Sequence, residues 1–139
     1  MNEPPHNGSV IRLDRVAKVY PMGDTPVHAL REVSFALRPG EYVAIMGHSG
    51  SGKSTLLNLL GCLDTPSSGA YYVEDVNVAH LDDDALSGLR REKFGFVFQS
   101  FNLIQKISVL ENIEVPLFYK GWHERQSRER SSQLAAMVG

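Results

Sequence analysis

The segment at 47–55 constrains this chain more than any other, because its residues fit one binding task. It reads Gly-His-Ser-Gly-Ser-Gly-Lys-Ser-Thr. The pattern G-x-x-x-x-G-K-[ST] is filled by Gly47, Gly52, Lys53 and Ser54. An apolar run at 42–46 precedes the segment and predicts a buried strand, and leucines at helical spacing follow it up to residue 63. Strand, glycine-rich loop and helix in this order are typical of a phosphate-binding loop.

The residue types in the loop match the chemistry of a polyphosphate. Backbone N–H groups must wrap the anion closely, which requires glycine, and the helix that opens near Lys53 directs its positive end at the same place. Lys53 supplies a charge for the β- and γ-phosphates, and the Ser54 hydroxyl can ligate Mg²⁺. The His48 side chain is expected in solvent, because its position acts through the backbone. The predicted nucleotide-binding residues are Gly47, Ser49, Gly50, Ser51, Gly52, Lys53, Ser54 and Thr55.

Composition allows one modest domain with an ordinary core. The chain has 139 residues, 42% of them hydrophobic and 22% charged. A net charge of −2 gives no reason to expect a nucleic-acid partner. The single cysteine, Cys62, falls in the apolar end of the loop helix, where packing is its expected role, and suggests a reducing compartment. No apolar run reaches membrane-spanning length and no signal peptide begins the chain, so we expect a cytoplasmic protein.

The rest of the chain reads as short strands and helices separated by turns. Residues 1–9 are polar and proline-rich and predict a flexible tail, and prolines and a glycine predict a loop at 21–26. Ser108 and Glu111 match a helix capping box, and Pro116 is expected to break the helix that follows. An apolar stripe of Leu134, Met137 and Val138 is expected on the last helix, with Gly139 as its cap. The predicted strands lie at 10–20, 29–37, 42–46, 70–73, 76–78 and 94–99. The predicted helices lie at 55–63, 82–91, 108–116 and 123–138.

Several further segments together resemble one family. They lie at 18–21, 29–35, 40–47, 60–64, 95–103 and 111–117. Taken with the loop, they resemble the nucleotide-binding subunit of ABC transporters, and within that family the lipoprotein-releasing and macrolide-exporting group. The similarity extends over roughly residues 10–139. It implies an α/β fold of the P-loop NTPase class and ABC type, with a mixed sheet core, an N-terminal antiparallel β-subdomain and the start of a helical subdomain. The fold is expected to be C-terminally incomplete.

The resemblance also implies a domain division and two further site residues. Residues 10–99 correspond to the N-terminal part of the ATPase core, and residues 100–139 to the Q-loop and the beginning of the helical subdomain. Tyr20 occupies the place of the family's adenine-stacking aromatic, although a core or surface tyrosine at a strand end is the structural alternative. Gln99 occupies the place of the Q-loop glutamine, whose amide can contact Mg²⁺ or the attacking water. Lys53 and Gln99 are therefore the predicted catalytic residues, with Ser54 and Gln99 as metal ligands.

Two segments imitate family motifs without matching them. Residues 86–90 begin like the ABC signature but lack its second glycine and its glutamine, and they precede Gln99. We expect them in an ordinary helix. Residues 71–75 imitate an acid-ended Walker B strand, but they lie too early in the chain, and Asp75 is expected in a turn.

The resemblance implies an ATP-binding subunit of an ABC transporter. It would couple MgATP binding and hydrolysis to export or lipoprotein release, as a homodimer of ATPase subunits peripheral to the inner face of the membrane, through a membrane-spanning partner. No Walker B acids, signature or switch histidine follow Gln99 in these 139 residues, so we expect weak nucleotide binding without turnover from this chain alone. The alternatives are a short non-catalytic module that binds nucleotide or a transporter subunit, and a small kinase that uses Asp75. The sequence does not identify the transported molecule.

Overall fold

The computed structural model describes residues 8–23 and 25–139, which form two compact units. The first unit extends to residue 96 and holds the phosphate-binding loop, and the second comprises residues 97–139. The predicted tail falls mainly on residues 1–7, which lie outside the described residues. In the described part of the chain, no helix is both long enough and apolar enough to cross a membrane.

An antiparallel sheet of four strands organises the first unit. The strands are β1 (Ile11–Met22), β2 (Thr25–Leu37), β3 (Ser68–Val73) and β4 (Val76–Asn77), in the order β2-β1-β3-β4. The predicted strands at 10–20 and 29–37 and the predicted hairpin at 70–78 are confirmed. The loop expected at 21–26 is wrong, because Pro21 pairs with Pro26 inside the β1–β2 hairpin. Prolines lack an N–H, and they fit strand positions that donate no hydrogen bond to the neighbour.

One hydrophobic core joins the sheet to two helices, α1 (Lys53–Leu60) and α2 (Asp83–Lys93). Leu13 on β1 faces Tyr71 on β3, and each of the two side chains is only 1% exposed. Cys62 is a buried free thiol in this core, which agrees with its predicted packing role. Helix α2 begins where the Asp82 side chain accepts a hydrogen bond of 2.8 Å from the Ala85 N–H. The segment that imitates the signature lies in α2, as predicted.

Two predicted buried strands, at 42–46 and 94–99, are absent from the structure. Both segments lack regular secondary structure, and Tyr42 and Val97 are fully exposed. A buried parallel strand needs hydrogen-bonded neighbours and cover on both faces. Among the described residues the sheet contains only β1 to β4, and neither segment pairs with it. The described sheet is consequently antiparallel rather than mixed.

The turn between β3 and β4 contains one left-handed residue. Glu74 and Asp75 both lie in the turn, as predicted, but Glu74 is the residue with a positive φ, of 52°. A single left-handed residue is sufficient to reverse the chain here, and Glu74 is held there by two hydrogen bonds of 3.0 Å from the Lys93 ammonium.

The second unit contains a pair of packed helices, α3 (Val109–Tyr119) and α4 (Glu124–Val138). The capping box is confirmed: the Ser108 hydroxyl accepts from the Glu111 N–H at 3.2 Å, and the Glu111 carboxylate accepts from the Ser108 N–H at 2.6 Å. These hydrogen bonds lower the pKa of Glu111. The break expected at Pro116 is wrong, because α3 continues to Tyr119. Proline removes one helical hydrogen bond, and the remaining turn is retained.

The buried face of α4 differs from the predicted apolar stripe. Met137 and Val138 are 76% and 88% exposed, whereas Ser127 and Ser131 are buried. These serines are four residues apart and therefore share one helix face. Gly139 follows α4 as its cap with a φ of 117°, as predicted.

Candidate functional site

The phosphate-binding loop is closed around the ammonium group of Lys53. This group donates hydrogen bonds of 2.8 Å to the Gly47 carbonyl and 2.7 Å to the His48 carbonyl. A further hydrogen bond of 3.3 Å joins the Ser51 N–H to the His48 carbonyl. The lysine that begins α1 is thus held at the concave side of the loop that precedes it. A phosphate that entered the loop would meet the ammonium group directly.

Two glycines of the loop have left-handed backbones, for different structural reasons. Gly52 has a φ of +89°, and a Cβ at this position would lie 2.5 Å from the Ala29 carbonyl oxygen and 2.9 Å from the Leu30 side chain. Only glycine permits β2 to approach the start of α1 so closely. Gly50 has a φ of +77° with open space around it, so the backbone conformation alone favours glycine there.

The first turn of α1 leaves its N–H groups open to an anion. Gly52 precedes the helix without any side-chain cap, and no acidic residue occupies the first turn. The first hydrogen bond within the helix joins the Leu56 N–H to the Gly52 carbonyl at 2.8 Å. The N–H groups of Lys53, Ser54 and Thr55 precede that bond. Unpaired N–H groups and the positive end of the helix dipole therefore coincide with the Lys53 charge.

The donor set fits a magnesium ion that is held mainly by phosphate. The Ser54 side chain is exposed in the first turn of α1, and no described residue holds its hydroxyl in a hydrogen bond. No cluster of three or more His, Cys, Asp or Glu side chains suited to a metal occurs in the described ranges. Mg²⁺ is commonly bound by few protein groups together with substrate phosphates and water. A single hydroxyl at the helix start is compatible with that arrangement.

Tyr20 lies next to the loop helix and is fixed by a charged pair. Its hydroxyl donates a hydrogen bond of 2.6 Å to Asp64, whose other oxygen accepts one of 2.5 Å from the Lys18 ammonium. The hydrogen bond to Asp64, with burial and the negative charge of that carboxylate, raises the pKa of Tyr20. A smaller, opposite effect on this pKa comes from the side chain of Thr55, in the first turn of α1. The Tyr20 hydroxyl is thus held by a carboxylate from the segment that follows α1.

Asp64 is the residue of this neighbourhood that sequence reasoning missed. It is 44 residues from Tyr20 and 46 from Lys18 along the chain. Its position inside the segment at 60–64 that resembles the family was the available signal, but that signal does not specify a partner.

The remaining predicted residues lie on exposed backbone. Ser49 and Ser51 are exposed loop residues, and His48 is exposed as expected, with its Nδ1 atom 2.9 Å from the Ser49 carbonyl. Gln99 belongs to the second unit, where it is exposed and outside regular secondary structure. Its role at the nucleotide stays a prediction.

Comparison with known proteins gives a consistent picture. A family model described as ABC transporter matches residues 30–139. The macrolide export ATP-binding/permease protein MacB of Hyphomonas neptunium (strain ATCC 15444) is 50% identical over 130 residues, which are 94% of this chain and 20% of that protein. The uncharacterized ABC transporter ATP-binding protein MJ0796 of Methanocaldococcus jannaschii is 50% identical over 111 residues, which are 80% of this chain and 47% of that protein.

A solved structure agrees with these sequence matches. The dimeric, post-hydrolysis ATP-binding cassette MJ0796 bound to ADP and Pi matches with a TM-score of 0.82 at 45% identity, over 88% of this chain and 54% of that one. The chain spans about a fifth of the length of the MacB relatives and about half of MJ0796. The predicted family resemblance and the α/β fold class are confirmed. The chain belongs to the ABC transporter family and is part of an ATP-binding cassette.

Proposed function

We propose that this chain supplies the phosphate- and adenine-binding surface of the ATPase that powers an ABC transporter. The observation that carries the proposal is the Lys53 ammonium, held between the Gly47 and His48 carbonyls at the start of a helix without side-chain caps. A positive charge, unpaired N–H groups and glycines converge there, as anion binding requires. The similar cassette MJ0796 has been solved with ADP and Pi bound, which supports a nucleotide as the ligand.

Each residue has a distinct task in the proposed complex. The backbone N–H groups at 50–55 bind the phosphates, and the Lys53 ammonium exchanges its loop carbonyls for phosphate oxygens. The Ser54 hydroxyl would ligate Mg²⁺, which would neutralise phosphate charge when bound. Tyr20 stacks on the adenine, which contributes about 1–3 kcal/mol without selecting the base. Gln99 would contact Mg²⁺ or the attacking water.

The complete protein would couple this site to transport. It would dimerise, hydrolyse MgATP and drive export or lipoprotein release through a membrane-spanning subunit or domain. MacB, a macrolide export ATP-binding/permease protein, supports export as the outcome, and the dimeric MJ0796 cassette supports pairing of ATPase units. The site would then lie on the cytoplasmic face of the membrane, and a net charge of −2 favours no nucleic-acid partner.

A polypeptide of these 139 residues alone should bind nucleotide weakly and turn over negligibly. Its loop contacts act on phosphates in the ground state as well as in the transition state, and uniform binding does not accelerate hydrolysis. No acid-ended strand follows Gln99 within the 139 residues to orient a metal or a water. Several charge-stabilising groups must act together in phosphoryl transfer.

Equilibrium binding of a non-hydrolysable ATP analogue to the Lys53→Ala variant tests the proposal. We expect at least a tenfold loss of affinity, because a charge-assisted contact contributes about 1.5–3 kcal/mol. His48→Ala is the matched control, since its side chain is exposed, and it should change affinity less than about twofold. Circular dichroism would establish that both variants fold. Equal affinity of Lys53→Ala and wild type would refute phosphate binding by this loop. ATP hydrolysis by the 139-residue polypeptide above the rate of its Lys53→Ala variant would refute the prediction that this polypeptide is inactive.

A further inference from the structure

We infer that Asp64 is a positioning residue for the adenine end of the nucleotide site, because it holds the Tyr20 ring from the segment that follows α1. The inference rests on the proposed function, because it assumes that Tyr20 stacks on the base. The inference adds Asp64 to that site, together with its restraint on the Tyr20 ring. Asp64 would not contact the nucleotide itself but would set where the stacking ring lies.

The geometry around the Asp64 carboxylate leaves it little freedom. One oxygen accepts from the Tyr20 hydroxyl at 2.6 Å. The other accepts from the Lys18 ammonium at 2.5 Å and from the Thr65 N–H at 2.7 Å. Lys18 also donates to the Thr65 carbonyl at 2.7 Å. With both oxygens engaged by partners from β1 and from its own turn, the carboxylate orients the tyrosine rather than following it.

This cluster is more shielded than a surface ion pair. The Lys18 and Asp64 side chains are only 11% and 24% exposed. Exposed pairs contribute little because water competes for both partners, whereas partly buried, hydrogen-bonded pairs hold a defined geometry. Asp64 can therefore restrain Tyr20 in a way that a solvated carboxylate could not.

Asp64 is also tied to the helix that carries the phosphate-binding residues. The end of α1 is closed by hydrogen bonds of 2.9 Å from the Cys62 N–H to the Leu59 carbonyl and 2.8 Å from the Leu63 N–H to the Asn58 carbonyl. Asp64 follows directly, so its position is set by the same helix that begins at Lys53. The restraint on the Tyr20 ring therefore comes from the segment that directly follows the helix carrying the phosphate-binding residues.

Lys18 determines which face of the ring can receive a base. Its ammonium lies over the Tyr20 ring, 4.9 Å from the ring centroid. That face is occupied by a cation–π contact, so a base can stack only on the opposite face. Tyr20 is partly exposed, which leaves room for such a contact. Asp64 holds both members of this arrangement, the ring and the cation.

The test compares ATP with inorganic tripolyphosphate, which has phosphates but no base, on the intact native protein. We expect Asp64→Asn to weaken ATP-analogue binding by about threefold to tenfold, a fraction of a full stacking contact. Tripolyphosphate affinity should change by less than about twofold, because the loop contacts are unaltered. Asp83→Asn removes the same charge from an exposed site on α2 and should change neither affinity.

A second variant keeps the inference testable if Asp64→Asn misfolds. Tyr20→Phe retains the ring but loses the hydroxyl, so it should reproduce the selective loss of ATP affinity, and the double variant should lose no more than either single one. Unchanged ATP affinity in both variants, or an equal loss for ATP and tripolyphosphate, would overturn the role of Asp64. The proposed function fails separately, when wild type binds tripolyphosphate no better than Lys53→Ala, and the inference falls with it.

Discussion

The hydroxyl of Tyr71 on β3 donates a hydrogen bond of 2.6 Å to the backbone carbonyl of Leu60, the last residue of α1. Tyr71 is 1% exposed, and burial raises the pKa of its hydroxyl, with a further contribution from the Cys62 thiol. The last carbonyls of a helix have no partner inside the helix. A buried tyrosine therefore satisfies the end of the helix whose beginning carries the phosphate-binding residues.

Removing this hydroxyl should destabilise the first unit without disturbing its packing. We expect Tyr71→Phe to lower the free energy of unfolding by about 1–2 kcal/mol, because the partly buried Leu60 carbonyl loses its hydrogen-bond donor. Urea denaturation of the purified chain measures the change. Tyr72→Phe is the control: its ring keeps the Arg12 guanidinium, 4.1 Å from the centroid, and its stability should remain within about 0.5 kcal/mol of wild type. Equal effects of the two variants would contradict the capping role.

The two left-handed loop glycines should differ in their response to alanine. Gly50→Ala meets only the cost of a left-handed backbone, about 1–2 kcal/mol, because nothing surrounds the added methyl group. Gly52→Ala meets that cost and a clash 2.5 Å from the Ala29 carbonyl oxygen, so it should destabilise the chain by several kcal/mol or prevent folding. Thermal unfolding of both variants measures the difference. A Gly52→Ala variant as stable as Gly50→Ala would show that β2 and α1 can separate freely.

The Asp64 cluster predicts a defined pH dependence of stability. Burial raises the pKa of Asp64, but hydrogen bonds from Lys18, Tyr20 and the Thr65 N–H outweigh burial and hold the pKa below its ordinary value. A carboxyl group with a lowered pKa stabilises the folded chain above its unfolded pKa of about 4, and this contribution is lost as the pH falls through the folded pKa. Tyr20, with a raised pKa, stabilises below about pH 10 and loses its contribution above that value.

The difference in unfolding free energy between wild type and Asp64→Asn should accordingly be constant from about pH 5 to pH 9. It should shrink as the pH falls below about 4. Urea denaturation across this range measures it, and Asp83→Asn provides the reference for removal of an exposed charge. A difference that grew toward acid pH would have the wrong sign for a lowered pKa and would exclude the cluster as its origin.

The capping box of α3 should contribute measurably to the second unit. Ser108→Ala removes the hydroxyl that accepts from the Glu111 N–H and should cost about 1 kcal/mol. Ser132→Ala is a suitable control in α4, because its hydroxyl bonds back to the Arg128 carbonyl within the helix and alanine is the better helix former. Denaturation followed by circular dichroism, which reports helix content, measures the stability of both variants. A larger loss of stability in Ser132→Ala than in Ser108→Ala would contradict the stabilising role of the capping box.

Features that depend on neighbouring residues were predictable from the sequence. The capping box at Ser108 and helix α2 were placed close to their observed positions. A cap and a helical pattern are local, since the groups that interact are three or four residues apart. The part of α3 after Pro116 was not predicted. Proline disfavours a helix locally, but the helix continues through it to Tyr119.

Features that depend on distant residues were not predictable in the same way. The segments at 42–46 and 94–99 have the composition of buried strands, but strand formation requires a hydrogen-bonded neighbour that composition does not specify. In α4 the sequence suggested an apolar stripe at Leu134, Met137 and Val138. Leu134 is half-buried, but Met137 and Val138 are exposed, and Ser127 and Ser131 are the buried residues. Which face a helix buries is decided by the surface against which it packs.

The sequence by itself determined the phosphate-binding loop, because its glycines, lysine and serine must follow one another at set spacing to cradle an anion. It also determined the family, through motifs spread along the chain. Only the tertiary structure decided that Asp64 holds Tyr20 and Lys18, and that Tyr71 caps α1. Those contacts join residues brought together by the pairing of β1 with β3 and by the packing of α1. Local sequence spacing does not predict these contacts between distant residues, because the free energy that brings the residues together comes from burial of the whole core.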